Sequence, residues 1–399
     1  MDRKTPPPEF DVESITPPYW VDKNWQVMSM AIDLSGDCNM ACRYCAESAT
    51  QPQRAPMTPE TLQAAWSFLF PKGAERGNYN VRLGSGEPLL GFDLMKQIEA
   101  LAKKAKDGGP PVYLTTNGTL VDDDVIEWLV QSGWNIKISF DGPQWVQDKW
   151  RVFADGSGTH KKVSSVIKSL VARIPERVSV TAVMCKGTDP AVAFAAIEQL
   201  GVTQIEMVPA VHQDESVRPG IVEVEQYRAF INHYAARFLH DENKALIPKL
   251  ARFKKCVQRI MGYSVSRINC GAGRDFMGVD PEGNLFPCFR FIGIPEYKIG
   301  NIYEGVTIPL RDTFRSSIGR PVELREPCNQ CWAALLCGGP CFAVAEMFGP
   351  GDGKPLDIHC EYVLADATAA VGLVNELREK DPELLLSFLP FQKLLDNLM

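Results

Sequence analysis

The chain predicts an α/β fold: a partial (β/α)6 TIM-like barrel followed by a cysteine-rich C-terminal domain. Three observations carry this. Residues 26–240 alternate short β-branched runs with amphipathic helical patterns, the signature of right-handed βαβ units around a parallel sheet. Six such units are present, which falls short of eight closed strands. From Cys270 onward the periodicity gives way to Cys, Gly and Pro. A length of 399 residues suits one barrel plus a smaller domain.

Taken in order, strands are expected at 28–34, 80–85, 111–117, 135–141, 178–184 and 204–211. Helices are expected at 59–70, 93–106, 122–132, 161–174, 191–200 and 225–240. In the second helix Leu94, Ile98, Leu101 and Ala105 recur at helical spacing and form one apolar face. Thr58, with Glu60 and Thr61 after it, marks a helix start. The resulting layout is an extended, proline-bearing segment at 1–25, a barrel at 26–245, and a helical bridge at 246–269. The cysteine-rich domain follows at 270–361, then C-terminal helices at 362–399. Within the cysteine-rich part, residues 276–286 read as strand, turn and strand, with Asp280, Pro281, Glu282 and Gly283 making the turn.

Hydrophobic content of 45% and charged content of 23% describe an ordinary globular protein. A net charge of −7 argues against a nucleic-acid binder. The local run Lys249, Arg252, Lys254, Lys255 and Arg259 reads as a solvated helix face rather than a dock for an acidic peptide. No signal peptide or membrane-spanning stretch is visible, so the expected location is cytoplasmic. In that compartment clustered cysteines serve metal or redox chemistry more often than disulfides.

Of twelve cysteines, ten fall into two spaced sets. The first is Cys38-x3-Cys42-x2-Cys45, directly after the first expected strand. Three thiolates in one loop can hold three irons of a [4Fe–4S] cluster and leave the fourth iron open. A zinc knuckle is the alternative, but no fourth Cys or His lies nearby in sequence. The second set is Cys270, Cys288, Cys328, Cys331, Cys337, Cys341 and Cys360.

The CxxxCxxC loop, with Tyr44 before its last cysteine, resembles that of the radical S-adenosylmethionine (SAM) superfamily. Further matches fall at successive strand ends. Ser85-Gly86-Glu87-Pro88 resembles the family's GGEP segment, which receives the SAM amino group, with Ser85 in place of the first glycine. Thr115-Thr116-Asn117-Gly118 ends the third strand, and Ser139-Phe140-Asp141-Gly142-Pro143 ends the fourth. Asp148, Arg151 and Gly156-Ser157-Gly158-Thr159 follow. By resemblance Ser139 and Arg151 hold the SAM carboxylate, a bidentate task that suits a guanidinium. Gln147 stands where relatives often show His. The implied cofactors are SAM and the [4Fe–4S] cluster bound with it. Together they give methionine and a 5′-deoxyadenosyl radical that takes a hydrogen atom from the substrate.

The second cysteine set resembles the SPASM domain, an extension with two auxiliary [4Fe–4S] clusters. A zinc ribbon is the alternative that Cys328-x2-Cys331 alone would favour. By analogy Cys328, Cys331, Cys337 and Cys360 hold the outer cluster, and Cys270, Cys288 and Cys341 the inner one. That leaves the inner cluster one ligand short. Sulfatase-maturing relatives supply an eighth cysteine a few residues after the first, and residues 271–276 contain none. Cys256 lies upstream on a helical segment, and Cys185 reads as a buried packing thiol. The expectation is an inner iron that is open or exchangeable, where a substrate thiolate can bind.

A second departure follows Cys288. Sulfatase-maturing enzymes place an Asp base directly after that cysteine, whereas this chain has Phe289 and then Arg290. The surrounding stretch looks instead like peptide-crosslinking members. Candidate substrate contacts are Arg290, Glu206, His212 and Asp214, with Arg290 and His212 as candidate catalytic groups beside Cys38, Cys42 and Cys45. His359 reads as a mere neighbour of Cys360, and His160, His233 and His240 as surface or helix positions.

The function this implies is oxidative modification of a peptide or protein, giving a thioether or carbon–carbon crosslink. Formylglycine formation and small-molecule or tetrapyrrole tailoring are alternative chemistries. A zinc-binding interaction protein is the non-enzyme alternative. Expected partners are the peptide substrate and a reductant such as flavodoxin or ferredoxin, with neither nucleic acid nor membrane. Only 37 residues precede Cys38, so the expectation is that leader recognition needs a separate protein or that the substrate is recognised without a leader.

Overall fold

The computed structural model describes residues 2–4, 6–7, 27–46, 53–71, 79–105, 108–240 and 248–389. The expected extended N-terminal segment lies outside these, apart from a few residues. So do the first residues of the bridge and the end of the tail.

The barrel alternates as the sequence predicts. Its elements are β1 (Ser29–Ile32), α1 (Pro59–Leu69), β2 (Asn80–Leu83), α2 (Phe92–Lys104), β3 (Val112–Thr116), α3 (Asp123–Ser132) and β4 (Asn135–Ser139). They continue with α4 (Gln144–Trp150), α5 (His160–Val171), β5 (Val178–Met184), α6 (Pro190–Glu198), β6 (Ile205–Pro209) and α7 (Ile221–Leu239). Strands β1 to β6 pair in parallel, each with its sequence neighbour. All six C-terminal ends therefore open on one face.

Burial alternates along the strands. On β5 every second residue from Val178 to Met184 is buried, because side chains one apart point to opposite faces of a sheet. The buried set packs under the helices, and the other set lines the concave face. α1 begins at Thr58, whose hydroxyl caps Thr61 N at 3.2 Å. The apolar face of α2 is Leu94, Met95, Ile98 and Ala102. Ala105 falls just past the helix end, so Ala102 takes the place expected of it. Each large side chain buried on that face contributes roughly 1.5–3 kcal/mol.

The second half grows from the first. α8 (Ala251–Ile260) leads into β7 (Phe276–Val279), β8 (Asn284–Phe286), β9 (Gly300–Asn301) and β10 (Gly305–Val306). β7 pairs in parallel with β1, Ser29 opposite Phe276, while β7 to β10 run antiparallel in sequence. The result is one ten-stranded sheet with β1 near its middle. Beyond it lie α9 (Ile308–Ser317), α10 (Ala334–Cys337), α11 (Phe342–Phe348), α12 (Asp357–Lys380) and α13 (Pro382–Leu386). α12 is continuous across residue 361, where a division was expected, and packs on α7 and α8.

The basic run on α8 is not a solvated face. Arg252 pairs with the buried Asp366 of α12. The buried Arg259 donates to the carbonyls of Leu336 (2.5 Å) and Cys337 (2.9 Å). These charges hold α8 against α12 and against the cysteine-rich loop at Leu336 and Cys337.

Candidate active site

The loop after β1 carries Cys38, Cys42 and Cys45, all free thiols. Its backbone is braced from the far side of the barrel: Ala41 N donates to Val152 O and Arg43 N to Trp150 O, both at 2.9 Å. Cys45 N closes a turn onto Cys42 O at 3.0 Å. Burial pushes the Cys38 thiol up to about 12. It pushes Cys42 up to about 11, against the opposing pull of Arg151. Thiols so disposed release their protons when a metal replaces them.

Two further strand ends lock this loop. Glu87, fully buried, accepts from Thr116 Oγ1 (2.8 Å), Asn117 N (2.7 Å) and Leu89 N (3.1 Å). Its carboxylate is thus a tie between the ends of β2 and β3. Asn117 Nδ2 in turn donates to Asn39 Oδ1 at 2.9 Å and approaches Cys38 Sγ at 3.9 Å. Gly86 has φ +58, and a Cβ there would meet Asp37 O at 2.1 Å. No other residue lets the second strand end come this close to the cysteine loop.

The end of β4 supplies the second tie. Tyr44 Oη donates to Asp141 Oδ2 at 2.7 Å, Arg151 Nε to the same oxygen at 3.0 Å, and Val183 N to Oδ1 at 2.9 Å. The Arg151 guanidinium also lies over the Tyr44 ring, 5.2 Å from its centroid. Gln147 is completely buried, accepts from Asp141 N at 2.8 Å and donates to Thr159 Oγ1 at 3.0 Å. Its amide therefore fixes the Asp141 backbone. Asp148 accepts from Thr159 N and His160 N, both at 2.8 Å. A Cβ on Gly158 would fall 2.2 Å from Asp148 Cγ, which explains the Asp148, Gly158 and Thr159 pattern.

The second cysteine set gathers into two groups. Cys288 is pushed up first by burial, then by Cys270 and Cys341. Cys360 is pushed up to about 12 by burial, with Cys337, Cys328 and Cys331 adding to it and Arg3 opposing. Among the described residues no three His, Cys, Asp or Glu side chains close to the separation that holds one metal ion. Thiolates of a [4Fe–4S] cube sit on separate irons and need no such approach. Cys185 is fully buried between Tyr44, Val146, Trp150 and Ala210, as a packing thiol should be. Cys256 is nearly so, on the side of Arg252, Arg259 and Cys337.

The expected substrate contacts do not converge. Glu206 pairs with Lys137 at 2.6 Å across the concave face, and that cation keeps its carboxyl below the usual range despite burial. His212 Nδ1 accepts from Asp214 N at 3.0 Å, and Asp214 accepts from Ser216 N at 2.7 Å. Both are taken up by the turn after β6. Arg290 instead lines a cavity of 220 Å³ with Val208, Cys341, His359 and Cys360. His359 Nε2 is shielded from solvent and has no hydrogen-bond partner. Burial, then Arg252 and Arg290, lowers its pKa to about 4. No sequence signal points to this cavity, because its walls come from β6, the cysteine loops and the first turn of α12.

Residues 32–192 match the model of the radical SAM superfamily. This chain carries a radical SAM domain. Across most of its length it is similar to curated proteins. A cysteine-type anaerobic sulfatase-maturating enzyme of Clostridium novyi is 22% identical over 348 residues, covering 82% of this chain and 90% of that protein. The PqqA peptide cyclase of Gluconobacter oxydans is 25% identical over 344 residues, covering 78% and 86%. Among solved structures, native anSMEcpe with bound AdoMet superposes with a TM-score of 0.72 at 18% identity, over 89% of this chain and 100% of that one. Streptococcus suis SuiB bound to precursor peptide SuiA gives 0.55 at 15% identity, over 79% and 72%.

The radical SAM domain's cofactors are SAM and a [4Fe–4S] cluster, and the residues present fit both. Three free thiols stand in one braced loop at the barrel's C-terminal face. Ser85 Oγ, at the end of the neighbouring strand, is buried without a hydrogen-bond partner. A buried hydroxyl costs about 1–3 kcal/mol when left unpaired, and a cofactor amino group would supply the missing partner. No helix among the described residues is long and apolar enough to cross a membrane.

Proposed function

We propose that this radical SAM enzyme oxidatively modifies a peptide or protein, forming a thioether or carbon–carbon crosslink. Cys38, Cys42 and Cys45 hold the SAM-binding cluster. Ser85 receives the cofactor's amino group, and Ser139 and Arg151 receive its carboxylate. Cys328, Cys331, Cys337 and Cys360 hold an outer auxiliary cluster, and Cys270, Cys288 and Cys341 an inner one. When bound, these groups supply a carbon radical that removes a substrate hydrogen and a sink for the electron released. The chain's own task is positioning and water exclusion. Asp141 fixes the cysteine loop through Tyr44, and Glu87 fixes the neighbouring strand ends.

The observation that carries the crosslinking reading is the wall around Cys288. Its neighbours are Phe289 and Arg290, whose guanidinium lies over the Phe289 ring at 5.3 Å. No carboxylate follows the cysteine to serve as a base there. Formylglycine formation is the second reading, supported by similarity to sulfatase-maturating enzymes along most of the chain.

The test is anaerobic reconstitution, an iron and zinc count, and detection of 5′-deoxyadenosine after adding SAM and reductant. About twelve irons per chain with SAM cleavage supports the reading. Synthetic Cys- and Ser-containing peptides then separate the chemistries by mass: loss of two hydrogens with a new linkage, against an aldehyde in place of the thiol or hydroxyl. About four irons plus zinc would overturn the auxiliary clusters.

A further inference from the structure

We propose that His359 is the fourth ligand of the inner auxiliary cluster, through Nε2. The inference rests on the auxiliary-cluster reading above. The inner group offers three thiols, from Cys270, Cys288 and Cys341. The two remaining cysteines are elsewhere: Cys185 is packed beside Tyr44 and Trp150, and Cys256 lies on the outer side with Arg252 and Cys337. Asp275, close in sequence to Cys270, is 42% exposed and paired with Arg274 at 3.4 Å.

His359 meets two separate requirements. Its Nε2 is shielded and unpartnered, and a buried polar atom calls for a partner. The cavity it lines holds Cys341, a thiol of the inner group, and Arg290, two residues after Cys288. Cys337 and Cys360 line it as well, but with Cys328 and Cys331 they already make up the four thiols of the outer group. The inner group is the one left a ligand short. Imidazole is an established alternative to thiolate on cluster iron and raises the reduction potential. A neutral imidazole holds the iron less tightly than an anionic thiolate, so an incoming substrate thiolate can displace it.

The experiment uses the full chain with Cys38→Ala, Cys42→Ala and Cys45→Ala, reconstituted anaerobically, so that only auxiliary clusters remain. Iron is counted, the sample is reduced, and pulsed EPR is recorded with natural-abundance and 15N-histidine protein. The expected result is about eight irons and a strongly coupled nitrogen that changes with the label. Adding His359→Ala removes that coupling, and His359→Cys removes it with iron retained. About eight irons without a histidine coupling, or a coupling that survives both substitutions, overturns the ligand assignment and leaves the clusters standing. Zinc, or no iron, at these cysteines overturns the cluster reading and the ligand with it.

Discussion

Tyr44 and Asp141 are 97 residues apart in sequence and joined by a 2.7 Å hydrogen bond in the fold. The phenol sits between two cysteines of the first loop, and the carboxylate also receives Arg151 and Val183 N. One buried anion therefore ties the cysteine loop to three other segments. Tyr44→Phe should cost about 1–3 kcal/mol by leaving a buried acceptor short. Asp141→Asn should cost about 3–5 kcal/mol, because Arg151 is then buried without its counter-charge. Denaturant midpoints, read beside iron content, check both. Equal midpoints for the two variants would contradict the network.

Gln147 bridges Asp141 N and Thr159 Oγ1 from a fully buried position. Gln147→Leu keeps the volume and removes both bonds. It should cost about 1–3 kcal/mol and weaken SAM binding, measured by equilibrium dialysis. Unchanged affinity would confine the residue to a structural role.

Burial raises the Glu87 carboxyl from 4.5 to about 7. A carboxyl raised on folding contributes stability that is full below the unfolded value and lost as pH rises through the folded one. The wild-type denaturation midpoint should therefore decline between about pH 4.5 and 7. Glu87→Gln should flatten that slope while lowering the plateau. A parallel decline in the variant would assign the slope to other groups.

Asp366 accepts from Tyr227 Oη at 2.7 Å and pairs with Arg252. This buried cluster locks α12 onto α7 and α8. Asp366→Ala should destabilise by about 3–5 kcal/mol, since it strands a buried guanidinium. Hydrogen exchange should rise along Asp357–Lys380 before it rises in β1 to β6. Uniform loosening of the whole chain would argue against a local lock.

Arg3 reaches the outer cysteine group from the other end of the chain. Its carbonyl accepts from Trp332 N at 2.8 Å and its guanidinium pairs with Asp357 at 2.5 Å. A cation beside a cluster favours the added electron. With the outer cluster in place, Arg3→Ala should lower that cluster's reduction potential and leave the inner one unchanged. EPR-monitored redox titration reads both, and equal shifts would count against this local effect.

The barrel is legible in the sequence because burial alternates along its strands. Val178–Met184 is the clearest case, expected and found with the same bounds. Elsewhere the apolar runs overshoot. Ser85, Asn117 and Asp141 read as strand residues but lie just beyond the ladders, where the chain leaves the sheet to build the site. The helix Gln144–Trp150 escapes a sequence reading; seven residues give too little periodicity to detect. The basic run misleads because its partners are distant: Asp366 is 114 residues from Arg252, and Leu336 is 77 from Arg259. His359 looks bland for the same reason, since nothing local reveals what faces it. The cysteine spacings are readable because several ligands in each set share a short loop or turn.

The parallel pairing of β7 with β1 has a practical consequence for anyone dissecting this chain. The two halves share a hydrogen-bonded seam along Ser29–Ile32, not a linker. A truncated chain ended before residue 270 would leave that strand bare in the middle of what is now a continuous sheet. Its open row of amides and carbonyls, flanked by the apolar Met30 and Ile32, would recruit other chains. The barrel alone should therefore precipitate rather than serve as a minimal catalyst.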